Sequence, residues 1–177
     1  MTSARSPRVP PGEDAAAYAA LERLRWGGAP ERCPHCGVEG RCTYLPPRDG
    51  ARRTRTGAVS GRRVWRCAAC RRQFSVLTAT VLSGSRVPAT VLLAVLQQWR
   101  AVGRPRAAEV AARHRVTPEA ARLLLRRIGA AVGEPEADPV AAVLGADAAT
   151  AAAIRRRTPA RLRPRRQVGP SADYGTG

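Results

Sequence analysis

The stretch RCAACRRQFSVLTATVLSGS, residues 66–85, decides the fold. It opens on two cysteines separated by two residues, Cys67 and Cys70, and a matching pair, Cys33 and Cys36, lies upstream in RCPHCG. Each Cys-x-x-Cys turn presents two thiolates from one tight knuckle, and two such knuckles complete the tetrahedron that zinc prefers. The spacing therefore predicts a closed four-cysteine site for structural Zn²⁺, with no open position for catalysis. An iron centre uses the same ligands and stays open as an alternative.

The cysteine usage also bears on where the protein works. Paired Cys-x-x-Cys units indicate metal binding in a reducing compartment rather than a disulfide framework. The amino terminus has no apolar segment typical of a signal peptide, and the longest apolar run, Val91 to Leu96, is far too short to span a bilayer. We expect a cytoplasmic, nucleoid-associated protein with no membrane contact. The fifth cysteine, Cys42, and the knuckle residue His35 are interpreted as non-ligands.

The charge balance points to a polyanionic partner. Arginine and lysine together number 31 against 13 acidic residues, a formal net charge of +18, and every one of these basic residues is arginine. A surplus of this size favours nucleic acid, and double-stranded DNA is the expected partner. An arginine-rich tail that has no specific partner is the alternative.

The pattern along the chain predicts a small α+β protein. A four-cysteine zinc ribbon of short antiparallel strands (41–45, 64–66 and 73–77) should precede a three-helix unit that resembles a helix-turn-helix, with disordered basic termini. The expected organisation is disordered residues 1–13, a short helix at 14–28 capped by Asp14, the zinc ribbon at 29–82, the helix-turn-helix-like domain at 83–133, and a mostly disordered Ala/Arg-rich tail at 134–177.

The helix-turn-helix prediction rests on AAEVAARHRVTPEAARLLLRRI. Helices at 88–102 and about 105–114 should be followed by a turn, in which His114 or Arg115 adopts the left-handed conformation, and by a helix reaching Val132. The second helix of such a unit enters the major groove. The expected DNA-probing residues are Thr117, which caps that helix, Glu119, Arg122 and Arg126, with Arg113, Arg115 and Arg127 nearer the phosphate backbone. An ordinary three-helix unit with a solvated charged face is the alternative.

The order of these motifs resembles the amino-terminal region of ISXO-type insertion-sequence transposases. The resemblance covers about residues 18–132, through LERLRW, ERCPHCG, VWRCAACRRQFSVLTATVLSGSRVP and RVTPEAARLLLRRIG. Family members look like CRxQFSVxTGT, so Ala79 stands where glycine is usual. The resemblance carries the zinc ligands over to the four paired cysteines. The loop between the two pairs is longer and more basic than is usual in the family.

In that family a ribonuclease-H-like domain follows, whose acidic residues hold Mg²⁺ for strand transfer. The residues after Gly133 are too few for such a fold, which needs well over about 100 residues. The acidic residues there have no strand framework to hold metals: Glu134, Glu136, Asp138, Asp147 and Asp173. We therefore expect a chain that is not an enzyme and that lacks strand-transfer activity.

The sequence thus predicts a zinc-dependent DNA-binding protein derived or truncated from a transposase, acting as an element-end binder or transcriptional regulator. One alternative is a zinc-ribbon interaction module that docks on RNA polymerase or on a separate transposase. Another is a non-functional transposase fragment. A protein partner or a homodimer is compatible with either working role, and the DNA target sequence is not encoded in any of these patterns.

Overall fold

The computed structural model describes residues 11–48, 52–54, 57, 59–134, 137–146 and 148–158. The predicted small α+β fold is confirmed. Within the described residues the helices are α1 (Pro11–Trp26), α2 (Ala89–Val102), α3 (Ala107–His114), α4 (Pro118–Val132), α5 (Pro139–Gly145) and α6 (Ala148–Arg157). The strands are β1 (Cys42–Leu45), β2 (Arg52–Arg53), β3 (Val59–Ser60), β4 (Val64–Cys67) and β5 (Gln73–Phe74).

Two small antiparallel sheets form between α1 and α2 in the chain. The first has the order β1-β4-β5, and its register sets Cys42 opposite Cys67 and Trp65 opposite Phe74. The second pairs β2 with β3. The paired strands and the cysteine turns together form a unit, residues 31–74, that we call the ribbon. All three predicted strands are present, although β5 ends at Phe74 rather than at residue 77.

The ribbon has a small aromatic core of its own. Trp65 and Phe74 are buried beside the cysteine sulfurs. Trp26, from the end of α1, meets both rings edge-on, with centroid distances of 6.3 Å to Trp65 and 6.0 Å to Phe74. Edge-to-face packing at these distances adds about 0.5–1.5 kcal/mol per pair to the gain from burial. A core of so few apolar residues does not bury enough surface to stabilise the ribbon by itself. We therefore expect the ribbon to need a bound metal in order to fold.

The larger core is helical and joins elements from both sides of the ribbon. Its buried residues come from α1, α2, α3, α4, α5 and α6. Four residues that the sequence assigned to the ribbon domain are buried in it as well: Val76, Leu77, Val81 and Leu82. The predicted boundaries at 28 and 82 are therefore wrong as packing boundaries, because α1 and the connector after β5 both belong to the helical core.

The start of α1 also differs from expectation. Residues 11–13, predicted disordered, are helical, since proline is tolerated in the first turn, and residues 1–10 lie outside the described part. Asp14 does not cap its own helix. Its Oδ1 instead accepts a hydrogen bond from the backbone N–H of Ala89 at 2.7 Å. That contact caps α2, where the N-cap residue Pro88 supplies no side-chain cap of its own.

A close contact fixes β3 against this first turn. At Gly61, an added Cβ would lie 2.4 Å from the carbonyl oxygen of Pro11 and 2.5 Å from the backbone nitrogen of Ala15. Real Cβ atoms do not approach backbone so closely. Only glycine therefore allows the end of the basic loop to pack on α1.

The region after Gly133 is more ordered than the sequence indicated. It contains α5 and α6, whereas we expected a mostly disordered tail, and residues 159–177 lie outside the described part. Asp138 caps α5 by accepting from the N–H of Val140 at 3.1 Å, with Pro139 in the first turn. This is the same cap-then-proline signal that Thr117 and Pro118 provide for α4. Val143 of α5 and Ile154 of α6 are buried in the helical core.

The connector between ribbon and helices is held by its hydroxyl groups. Thr78 accepts from the N–H of Ser75 at 2.9 Å. The buried Thr80 donates to the carbonyl of Leu77 at 2.8 Å and accepts from the N–H of Leu82 at 3.2 Å. The connector is neither helix nor strand. Its successive turns are stabilised by hydrogen bonds between the two threonine side chains and the backbone.

Ala79 is the strained residue of this connector. Its φ of 61° lies in the left-handed region, which costs a residue with a Cβ about 1–2 kcal/mol. We expect Ala79→Gly to raise the free energy of unfolding by about 1 kcal/mol, measured by urea titration. Ala112→Gly, inside α3, is the matched control and should lose about as much. A destabilised Ala79→Gly variant would contradict this account.

Candidate metal centre and basic helix face

The first cysteine turn runs from Cys33 to Cys36. The N–H of Gly37 donates to the carbonyl of Cys33 at 2.9 Å, and the N–H of His35 points at the Cys33 sulfur at 3.4 Å. Gly37 takes a φ of 76°, which glycine adopts without strain, and so closes the turn. Backbone dipoles of this kind stabilise a thiolate. The turn therefore presents Cys33 and Cys36 in a form ready for a metal.

The second turn connects β4 to β5. The N–H of Cys67 donates to the carbonyl of Arg72 at 3.1 Å, and Arg71 takes a left-handed φ of 59°. A backbone hydrogen bond from Cys70, and a smaller contribution from Ala69, lower the pKa of the Cys67 thiol to about 7 despite its burial. A thiol of this pKa gives up its proton readily to a metal near neutral pH.

The four sulfur atoms meet at one point. All of them lie within 4.8 Å of one another. The Sγ atoms of Cys33 and Cys70 are 3.8 Å apart, as are those of Cys36 and Cys67. A regular tetrahedron with zinc–sulfur bonds of about 2.3 Å has edges of about 3.8 Å, whereas a disulfide needs about 2.05 Å. The arrangement fits a tetrahedral metal and not a pair of disulfides.

One comparison with known proteins bears on this centre. Residues 12–73 match the family model of the transposase zinc-ribbon domain. The match runs from α1 through both cysteine turns to β5, so the predicted resemblance is confirmed over the zinc ribbon. No curated protein and no solved structure shows a significant match. The four cysteines are thus the structural zinc site of this zinc ribbon.

Cys42 and His35 are not members of the four-sulfur cluster found in the described residues. Cys42 is half-buried on β1 opposite Cys67, and burial, helped by the neighbouring thiols, raises its pKa to about 11. His35 turns its ring toward Phe74 at a centroid distance of 6.2 Å. Its Nε2 lies 3.3 Å from the carbonyl oxygen of Gln73. His35 therefore links the first cysteine turn to β5, the strand that follows the second cysteine turn.

The zinc ribbon is joined to α1 by a buried carboxylate, Glu22, which the sequence pattern did not single out. Glu22 is 2% exposed. Its carboxylate accepts from the Nε of Arg63 at 2.7 Å and from the indole N–H of Trp65 at 2.9 Å. One turn further, Arg25 donates to the carbonyls of Val76 and Thr78, and burial lowers the pKa of Arg25 to about 10. The motif LERLRW thus supplies the polar contacts that join the end of α1 to Arg63, to β4 and to the connector after β5.

The predicted turn between α3 and α4 is present with the expected chemistry. Arg115 adopts the left-handed conformation, with φ 52° and ψ 34°, and ends α3. Thr117 caps α4, its Oγ1 accepting from the N–H of Ala120 at 3.2 Å. Pro118 occupies the first turn. Local turn and capping signals were enough to place these two helices.

The residues expected to contact DNA divide into two groups. Five are exposed: Arg113, Arg115, Glu119, Arg122 and Arg126. Thr117 is half-buried at its cap. Arg127, expected nearer the phosphate backbone, is 8% exposed, because residue 127 falls on the face of α4 that carries Leu124 and Ile128. Among the described helices, none is long and apolar enough to cross a membrane.

Proposed function

We propose that this protein binds duplex DNA through α3 and α4, with the zinc ribbon holding the helical core in shape. The observation that carries the proposal is the outer face of α4. Arg122 and Arg126, one turn apart, are both exposed, and they follow a capped helix start beside the exposed Arg113 and Arg115. An arginine can donate two parallel hydrogen bonds to a guanine edge, and neighbouring arginines can contact phosphates.

Two further facts support DNA as the partner. The net charge of +18 is what remains after all 13 acidic residues have been counted against the 31 arginines, and a surplus of this size favours a polyanionic partner. The family description names a transposase, a class of protein that handles nucleic acid. The role proposed for these arginines is DNA binding. They are not proposed to take part in strand transfer, which needs acidic residues that hold Mg²⁺. An element-end binder or a regulator is the form of function that fits best.

The experiment begins with selection of bound duplexes from a random pool by the zinc-loaded protein. Binding of the selected and a scrambled duplex is then measured by fluorescence anisotropy. We expect Arg122→Ala and Arg126→Ala each to lose about 1–3 kcal/mol of discrimination between the two duplexes. Arg23→Ala is the matched control, since Arg23 is exposed on α1 and away from α4 in sequence.

The proposal fails if the parent protein shows no preference among duplexes, or if the doubly substituted variant keeps the parent's preference. A stoichiometric protein that co-purifies with the parent, in the absence of duplex binding, would favour the docking role instead.

A further inference from the structure

The outer face of α4 forms one wall of an open groove of about 1180 Å³, which we call the α4 groove. Its other walls are two connectors, residues 84–88 before α2 and residues 104–107 before α3. The floor is apolar, with Val87, Ala120 and Leu123 half-buried along it. Exposed arginines stand around the rim: Arg86, Arg104, Arg106, Arg122 and Arg126. Among the described residues that line the groove, one is acidic, Glu119, and it has a partner.

A buried cation also lines this groove. Arg127 is 8% exposed, and its Nε has no hydrogen-bond partner among the residues that the structure describes. None of the ion pairs found in the described part of the chain includes it. Burial and the nearby charge of Arg155 lower its pKa, yet a guanidinium stays protonated in proteins. A charge that is buried beside another cation and lacks a counterion destabilises the fold unless an anion joins it.

Arg104, on the rim, is held on the side of α4 that carries Gly129. The guanidinium carbon of Arg104 lies 5.6 Å from the ring centroid of Trp99, and a Cβ added at Gly129 would lie 3.8 Å from it. Trp99 and the bare backbone at Gly129 thus hold Arg104 against α4. The undescribed ends of this chain do not fit the groove, because residues 1–10 and 159–177 both carry net positive charge.

We propose that the α4 groove binds a phosphate of the DNA backbone, with Arg127 as its buried contact and Arg86 as a second contact on the rim. The inference rests on the proposed function, since any duplex that meets the outer face of α4 presents its backbone beside that face. The groove then serves as a sequence-independent contact that fixes the position of α4, while Arg122 and Arg126 read the bases.

The test compares Arg127→Met and Arg86→Ala with the parent in duplex binding over a range of salt concentrations. Each variant removes one phosphate contact, so the slope of log K against log salt should fall by about 0.9. Affinity should drop about five- to tenfold equally for the selected and scrambled duplexes. Arg23→Met, an exposed arginine outside the groove, is the matched control and should keep the parent's slope.

A second measurement separates binding from folding. Because the methionine replaces an unpaired buried cation, Arg127→Met should unfold at the parent's temperature or above it. Arg86→Ala changes an exposed side chain and keeps the test valid even if the core variant misfolds.

If the parent binds no duplex, the proposed function is wrong and this inference falls with it. If the parent binds and both groove variants keep its salt slope, this inference alone is wrong. Variants that keep DNA binding but lose an acidic protein partner would likewise overturn it, because the groove would then be a protein-docking site.

Discussion

Removing the zinc is expected to unfold the zinc ribbon, the largest effect of any single change. Binding of structural zinc is worth about 10–16 kcal/mol in comparable finger peptides, which exceeds what the small core around Trp65 and Phe74 can supply. Chelation, or Cys33→Ser at a ligand that is 1% exposed, should abolish the ribbon while leaving helical signal from α2 to α6. Tryptophan fluorescence reports on the change, since Trp26 and Trp65 pack within 6.3 Å of each other.

Cys42→Ser is the control for this experiment, because Cys42 lies outside the four-sulfur cluster found in the described residues. It should bind one zinc per chain and unfold at the parent's temperature. The zinc account would be refuted by a metal-free protein, confirmed by elemental analysis, that keeps the parent's fluorescence and thermal midpoint.

Glu22→Ala should produce the second large effect, a loss of about 3–5 kcal/mol in the free energy of unfolding. It removes the carboxylate from a buried contact and leaves the cation of Arg63 and the indole N–H of Trp65 without their partner. Urea titration followed by circular dichroism measures the change.

Glu22→Gln is the matched variant for that site. Its amide oxygen can still accept from Trp65, but it gives up the charge that pairs with Arg63. Arg63 keeps its contact with the Tyr44 ring, at 4.4 Å from the centroid, so the loss should be clearly smaller than for Glu22→Ala. Equal losses for the two variants, or a loss below about 1 kcal/mol for Glu22→Ala, would contradict a pairing role.

Sequence patterns predicted those features that depend on neighbouring residues. The cysteine turns, the strand positions, the left-handed Arg115 and the cap at Thr117 all follow from chemistry within a few residues, and the structure has each of them. The metal site could therefore be predicted from the cysteine spacing alone, because two Cys-x-x-Cys units allow few arrangements other than a four-cysteine site.

The features that were missed depend on contacts between distant parts of the chain. Asp14 looks like the cap of its own helix, yet it caps α2, which lies 75 residues further along. Glu22 and Arg127 are charged residues on helices and would ordinarily face solvent. Their burial follows from what packs against them, which local periodicity does not reveal. The cap of α5 was a missed local signal, since Asp138-Pro139 repeats the pattern of Thr117-Pro118.

The position of α1 has a consequence for how the chain folds as it is made. The buried face of α1, which includes Tyr18 and Leu21, is covered by α2 residues such as Leu92. Those partners leave the ribosome roughly 4 to 15 seconds later, at synthesis rates of about 5 to 20 residues per second. The zinc ribbon, complete by Phe74, is available earlier. Zinc capture is therefore expected to come first in time, so that the remaining helices assemble onto an α1 already held in place through Glu22.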